Sequence, residues 1–195
     1  MNRKSDNIGS LIYEIEVYDK NGKLIDKKRG KGDSVLANWI NLFIAIRGGQ
    51  SYDFVNTNGQ DVSIDTLDFR NSSMKAPAGD DTFGIVVGTS SEAVTMADYH
   101  LHSKIPHGTG SGQLSYGETT EYNDASGMQW DRGLQRTFDN NSGGDITINE
   151  IGMIMMISDG NMNYFVMIAR DVISATTVPN GGRIVVKYWF RWNPS

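Results

Sequence analysis

The chain has 195 residues, a formal net charge of −5 and a sequence pI of about 5.1. This length is enough for one sizeable hydrophobic core, and the acidic balance argues against a nucleic-acid-binding surface, which needs a basic excess. The sequence contains no cysteine, which excludes disulfides and thiolate chemistry. No apolar stretch reaches the roughly 18 residues of a membrane span, and the polar N-terminus has no apolar signal core, so we expect synthesis in a cytoplasm and no membrane partner.

The first predicted elements are a hairpin and a helix. Residues 11–18 alternate apolar and polar positions, as a half-buried strand does, and Asn21-Gly22 predicts a tight turn before a return strand over 23–28. Residues 33–47 change to a helical period. The apolar stripe of this helix, which we expect to cover a sheet face, consists of Leu36, Trp39, Ile40, Phe43 and Ile44.

The remaining chain predicts short strands separated by glycine-rich turns. After a hairpin over 52–69 and a polar linker over 71–81, strands are predicted at 83–87, 114–122, 128–138, 146–158, 163–171 and 183–192. One helical turn is predicted at 98–105. We therefore expect an all-β fold in one domain over 1–195, with a hairpin and one amphipathic helix in 11–48 and a jelly-roll-like β-sandwich in 52–192.

The late strands are apolar on both faces. In residues 151–157 and 184–192, apolar side chains do not alternate with polar ones, so each strand needs cover on two sides. In a chain of this size we expect part of that cover to come from a neighbouring subunit, which predicts a homo-oligomer. The interface candidates are Met153, Met155, Trp189 and Trp192.

Residues 139–150 have the length of a calcium-binding loop. Asp139, Asn141, Asp145 and Glu150 stand at ligand positions, with Gly144 at the central glycine. Gly143 supplies no side-chain oxygen at the fifth position, and both flanks predict strands rather than helices. A hairpin corner without metal is therefore the favoured interpretation, and no cofactor is expected.

No catalytic constellation stands out. His100, His102 and His107 are close in sequence, but no cysteine or well-placed carboxylate completes a metal shell, so we interpret them as a polar loop. The sequence around Ser111 lacks the strand-to-helix elbow of a hydrolase nucleophile. The aromatic residues at 188–190 and 192 could form a sugar-stacking platform, although strand spacing favours core and interface positions.

Three segments resemble small virion structural proteins of tailed bacteriophages. The second segment, "RTFDNNSGGDITINEIGMI", resembles a strand–turn–strand of these proteins, and residues 169–190 resemble their closing pair of strands. In the first segment, residues 83–105, the matching positions are Val87, Gly88, Thr89, Thr95, Asp98, Leu101 and Ile105. In the second they are Arg136, Phe138, Asn140 or Asn141, Ser142, Gly143, Ile146, Ile148, Glu150, Ile151 and Gly152.

This resemblance implies a β-sandwich that assembles with other virion proteins in a capsid, neck or tail, without catalysis. It also weakens the calcium interpretation, because position 139 need not be acidic in the resembling segments. A carbohydrate-binding module for host attachment, with a glycan as partner, is the alternative. A glycan-cleaving enzyme with two facing carboxylates is a third hypothesis.

Overall fold

The computed structural model describes residues 10–32, 35–45, 52–65, 67–68, 70–126 and 129–192. Helix α1 spans Ala37–Ala45. The strands are β1 (Ser10–Tyr18), β2 (Leu24–Gly32), β3 (Tyr52–Val55), β4 (Asp61–Ile64), β5 (Gly84–Gly88), β6 (Ser115–Ser126), β7 (Gln129–Asp139), β8 (Ile146–Ser158), β9 (Asn163–Val178) and β10 (Arg183–Trp192). The predicted all-β class with one short helix is confirmed.

Two antiparallel sheets form the body of the molecule. The larger has five strands in the order β2-β1-β10-β7-β6, and the smaller has three in the order β5-β8-β9. Strands β3 and β4 form a separate two-stranded sheet. One hydrophobic core joins the N-terminal hairpin, α1 and the late strands, and a buried hydrogen bond of 2.6 Å from Tyr188 Oη to Asp171 Oδ2 crosses between the two main sheets.

The alternation in β1 sorts its side chains between the core and the outer face of the five-stranded sheet. Ile15 and Val17 are buried in the core, whereas Glu14 and Glu16 lie on the other face. There, Lys187 of β10 is 3.0 Å from Glu14 Oε1 and 3.2 Å from Glu16 Oε2. The outer face of the sheet is therefore polar along this part of β1, as the alternation in residues 11–18 predicts.

Both faces of β8 are covered by the chain itself. Met153 and Met155 are 5% and 8% exposed, and residues of the connection at 89–105 cover the opposite face of the strand. For example, Leu101 packs within 3.0 Å of the position a Cβ would take on Gly152, and the Ser103 amide donates to Glu150. The prediction that Met153 and Met155 need a neighbouring subunit is wrong, because long connections within one chain supply the second cover.

Helix α1 is rotated relative to the predicted stripe. Its buried face contains Asn38, Leu42 and Ala45, while Ile40 and Ile44 are 47% and 48% exposed. The Asn38 side chain exchanges hydrogen bonds with the backbone of Val55 and also donates to the Met167 carbonyl. These bonds tie the helix to β3 and β9 and turn its polar residue inward, which the hydrophobic period could not predict.

Several element boundaries also differ from prediction. Strand β9 continues to Val178, because the polar residues after 171 remain paired with β8 across a β-bulge. Residues 98–105 form no helical turn and instead run beside β5, with a bridge between Gly88 and Lys104. No helix in the described residues is long and apolar enough to cross a membrane.

Candidate functional site

The guanidinium of Arg136 connects the two main sheets. The residue lies on β7 with 1% of its surface exposed, and its side chain reaches the edge strand β5. All five of its N–H groups donate to backbone carbonyl oxygens. The acceptors are Gly117 at 2.8 Å, Phe83 and Ile85 at 3.0 Å, Pro77 at 3.2 Å, and Asp80.

The environment of Arg136 keeps it a structural cation. Burial lowers the pKa of Arg136, whereas Tyr116, Asp80 and Asp81 act to raise that pKa. A guanidinium with an ordinary pKa above 12 stays charged through such a shift. Because every donor is already bonded to this chain, Arg136 has no free N–H group to offer a ligand.

A second buried arginine, Arg170 of β9, holds the connection between β5 and β6 against β8. Its Nε lies 2.9 Å from Glu150 Oε2 and its Nη1 lies 2.8 Å from Asp98 Oδ2. Its Nη2 donates to the Glu92 carbonyl at 3.0 Å. Arg170 and Glu150 are both fully buried, so this ion pair is shielded from solvent.

Glu150 also receives hydrogen bonds from the backbone of that connection. Its carboxylate accepts from the amides of Ser103 at 2.8 Å, His102 at 3.2 Å and Ser90 at 3.4 Å. Backbone donors stabilise the ionised form of a buried carboxylate. Glu150 therefore fixes residues 90–103 over the outer face of the three-stranded sheet.

The three histidines have separate partners. His102 Nδ1 lies 2.7 Å from Glu92 Oε2 and its Nε2 lies 3.5 Å from Asp98 Oδ1, so both nitrogens face carboxylates. His100 Nδ1 is 2.7 Å from the Leu101 carbonyl, and His107 Nδ1 accepts from the Tyr116 amide. The described residues contain no group of three or more histidine, cysteine or acidic side chains arranged to hold a metal ion.

Asp98 is held ionised by this network. Partial burial acts to raise the pKa of Asp98, but hydrogen bonds from Thr95 and Arg170 outweigh it and lower that pKa. A catalytic acid needs the opposite shift, since it must keep its proton near neutral pH. Asp98 therefore helps to hold the connection at 89–105 in place.

The turn at 139–146 is organised by an asparagine. Asn140 is fully buried, its Oδ1 accepts from the amide and hydroxyl of Ser142, and its Nδ2 donates to the carbonyls of Gly144 and Val178. Gly143 adopts a φ of +88°, which a residue with a Cβ rarely takes. Of the two asparagines left open by the sequence, Asn140 performs this role.

The calcium candidates do not converge on a cation. Asp139 pairs with Arg183 at 3.0 Å, and Asp145 Oδ1 accepts from the Asn180 amide at 2.9 Å. Asn141 is exposed, and Glu150 is directed to Arg170 instead of the turn. The weak calcium hypothesis is therefore not supported, because its intended final ligand belongs to a different buried network.

Of the late aromatic residues in the described part of the chain, Phe190 is 38% exposed, whereas Tyr188 and Trp189 are buried. Tyr188 is fully buried and Trp189 is 1% exposed, although Trp189 lies on the outer face of the five-stranded sheet. There it packs between Arg29 and Tyr122 and over Gly133, where a Cβ would come within 2.6 Å of the Trp189 Cβ. The assignment of Trp189 to a subunit interface is therefore wrong, and the side chain of Trp192 lies outside the described residues.

A cleft on the same outer face contains two carboxylates. It has a volume of about 410 Å³ and is lined by residues that include Glu16, Glu118 and Lys187. Burial raises the pKa of Glu16, but hydrogen bonds from Lys27, Tyr18 and Lys187 outweigh it and lower that pKa to about 2. Glu16 cannot serve as the proton donor that glycoside cleavage requires.

The edges of the three-stranded sheet are covered. At β5, Arg136 takes the Ile85 carbonyl and the Ile105 amide donates to the Val87 carbonyl. At β9, the Leu36 amide donates to the Ile168 carbonyl, and Lys28 Nζ lies 2.7 Å from the Ala175 carbonyl at the bulge. Donors from elsewhere in the chain therefore occupy both edges.

The two edge strands of the five-stranded sheet, β2 and β6, are covered only in part within the described residues. The first half of β6 is covered, since Thr119 donates to the Ala76 carbonyl and the Tyr116 carbonyl accepts from Gly79. Within the described part of the chain, no backbone group pairs with the outer edge of β2 or with that of residues 120–126. These two strand edges are the candidate interaction site.

Polar residues of the resembling segments are concentrated in the buried networks. Arg136, Asn140 and Glu150 each bond to backbone groups of other segments, and Asp98 binds Arg170. Sequence analysis did not identify Arg170 as the partner of Glu150 and Asp98. The only local sign of this role is that Arg170 is a charged residue within an apolar strand. No protein-family model, curated protein or solved structure matches this chain.

Proposed function

We propose that this chain is a non-enzymatic structural subunit of a tailed-bacteriophage virion, assembling with copies of itself and with other virion proteins in the capsid, neck or tail. The observation that carries the proposal is the role of the polar residues in the resembling segments. Arg136, Asn140 and Glu150 are buried and brace backbone, so what these segments share is an architecture rather than a reactive site.

The buried networks suit a load-bearing subunit. Arg136 binds the connection before β5, and Arg170 with Glu150 binds the connection after it. If a connection moved away, a buried charge would lose its partner, which is costly in free energy. Each network therefore holds its connection in one arrangement. A subunit of a symmetric shell or tube needs this kind of fixed surface.

Exposed apolar side chains also support assembly. Ile40 and Ile44 lie one helical turn apart on the same side of α1. The Ala37 amide at the start of the helix donates to the carbonyl of Met96, whose side chain is 56% exposed. Burial of these apolar side chains against another virion protein would be favourable.

The two alternatives have less support. Glycan binding would use exposed aromatic rings. Trp189 is buried, and of the exposed rings Phe190 stacks on Trp39 with centroids 5.2 Å apart, while Trp130 has the Arg132 guanidinium over its face. Glycan cleavage requires one carboxyl that keeps its proton, whereas the pKa of Glu16 in the outer-face cleft is about 2.

The test is the composition of purified particles. Virions from a phage that encodes this chain are banded on a density gradient, and the copy number of the chain is measured by quantitative mass spectrometry against the major capsid protein. A fixed number of copies, together with density for the sandwich in a particle map, supports the proposal. Absence from particles overturns it, as does glycan hydrolysis by the pure chain that is lost in Glu16→Gln.

A further inference from the structure

The two edge strands of the five-stranded sheet have opposite charge. Strand β2, LIDKKRGKG, contains four basic residues and one acidic residue, whereas β6, SYGETTEYNDAS, contains three acidic residues and no basic one. Lys31 and Asp124 are both exposed. The sheet therefore presents a basic edge on one side and an acidic edge on the other.

Lys27, Arg29 and Lys31 of β2 and Asp124 of β6 lie on the same, outer face, whereas Lys28 and Glu121 point to the other side. Lys27 binds Glu16 and Arg29 packs over Trp189, both on the outer face of the sheet. The register pairs Asp124 with Asp131 and Asp131 with Arg191, next to Trp189 in β10, which places Asp124 on the outer face too. Two sheets joined edge to edge with the same face outward would bring these opposite charges together.

The backbone of residues 120–126 is available for such a junction. The Thr119 amide points away from β7, toward the Ala76 carbonyl. The register with β7 is continuous from Thr119 to the end of the strand, so the backbone groups of Glu121 and Asn123 point the same way. Within the described part of the chain, these donors and acceptors have no backbone partner on their outer side.

We propose that the acidic edge of β6 in one copy of this chain pairs with the basic edge of β2 in the next copy, extending the five-stranded sheet between subunits. The occupant of each edge is thus a second copy. This inference rests on the proposed structural function and identifies the surface through which copies meet.

The topology determines the direction of this pairing. All neighbours in the sheet are antiparallel and the strand number is odd, so β2 and β6 run in the same direction. A second copy with the same face outward therefore places its β2 parallel to the first copy's β6. Pairing of β2 with β2, or β6 with β6, would oppose like charges, so the contact is head-to-tail and gives a ring or a filament.

The test is a charge swap in the full chain, followed by sedimentation velocity over a concentration series. Lys31 and Asp124 are suitable because neither makes an ion pair within the described residues. Lys31→Glu and Asp124→Lys should each weaken self-association roughly two- to fivefold, as for exposed ion pairs, and the double variant should recover it. Lys20→Glu, the same charge change in the β1–β2 turn, should have no effect.

A backbone variant provides a second readout. Asn123→Pro removes an outward N–H on an edge strand, where proline is tolerated, and should abolish association while circular dichroism stays that of the folded chain. Association that is unchanged by all three edge variants overturns the inference, because copies then meet elsewhere. A wild-type chain that stays monomeric at high concentration and low salt also overturns it, but leaves the proposed function intact if the chain is found in particles.

Discussion

In the three-stranded sheet both edge strands are covered by the chain itself, whereas in the five-stranded sheet β2 and residues 120–126 have no such cover within the described residues. At both covered edges, a cationic side chain donates hydrogen bonds to backbone carbonyls. Arg136 from β7 and Lys28 from β2 cross from the larger sheet and donate to carbonyls of β5 and β9. A cation can satisfy an edge carbonyl without offering a new strand, so these edges cannot extend.

Charged residues have different roles in the two sheets. Those around the smaller sheet stabilise the fold, and those on the outer face of the larger sheet are available for interaction. Around the smaller sheet, charges are buried and bonded to backbone, so their removal should unfold the chain. On the outer face of the larger sheet, charges lie on the side that faces solvent, so their removal should alter pH dependence and association while the fold persists. Each prediction that follows tests one side of this contrast.

The largest effect is expected from Arg136→Met. This change leaves buried carbonyls of residues 83 and 85 without donors, and each unsatisfied buried group costs about 1–3 kcal/mol. We expect the free energy of unfolding, measured in urea, to fall by at least about 4 kcal/mol or folding to fail. Arg136→Lys keeps the charge but has fewer donors, so its free energy of unfolding should lie between those of the wild type and Arg136→Met. Equal stability of the three proteins would contradict the role of Arg136 in holding these carbonyls.

Glu150→Gln should come next. It leaves Arg170 with Asp98 as its only carboxylate partner and weakens the bonds that hold residues 90–103, at a cost of about 3 kcal/mol. Limited proteolysis should then cut within this connection before the rest of the chain unfolds. The matched control is Glu118→Gln, an exposed carboxyl on β6, which should change stability by less than about 0.5 kcal/mol.

The turn at 139–146 offers a smaller, paired test. Asn140→Ala removes a fully buried amide that bonds to two carbonyls and should cost about 1–2 kcal/mol. Its neighbour Asn141 is exposed, so Asn141→Ala should be close to neutral. A chelator should leave the melting temperature of the wild type unchanged, and a clear decrease would reinstate the calcium hypothesis.

The smallest effect should arise on the outer face of the larger sheet. Hydrogen bonds from Lys27, Tyr18 and Lys187 overcome burial and lower the pKa of Glu16 from 4.5 to about 2. A lowered folded-state pKa means that this contribution to stability is complete above pH 4.5 and is lost as the pH falls toward 2. Glu16→Gln should flatten the decrease of unfolding free energy over that range, and an unchanged slope would show that other carboxyls cause it.

Much of the fold could be predicted from local patterns. The alternation in residues 11–18 predicted β1, and Asn21-Gly22 predicted the turn before β2. The glycine-rich sequence around Gly143 predicted a corner after β7, but this corner leads into the other sheet and does not form the expected hairpin. These features depend on residues a few positions apart, so their physical cause is contained in the sequence pattern.

The candidate site was less accessible to sequence analysis. Met153, Met155 and Trp189 were placed at an interface because their strands are apolar on both faces. Instead, both methionines lie in the core, and Arg29 and Tyr122 pack against Trp189. The opposite charges of β2 and β6 could be read from the sequence. Their position at the two edges of one sheet could not, because strand order is not encoded in local periodicity.

The sequence by itself determined the all-β class, the turns and the alternation of β1. Tertiary structure decided which charges are buried together, since Glu150 meets Arg170 across 20 positions and Asp98 meets Arg170 across 72. It also decided which face of α1 is buried and which strands lie at the sheet edges. The physical reason is that backbone angles respond to near neighbours along the chain, whereas burial and ion pairing depend on the packing of distant segments.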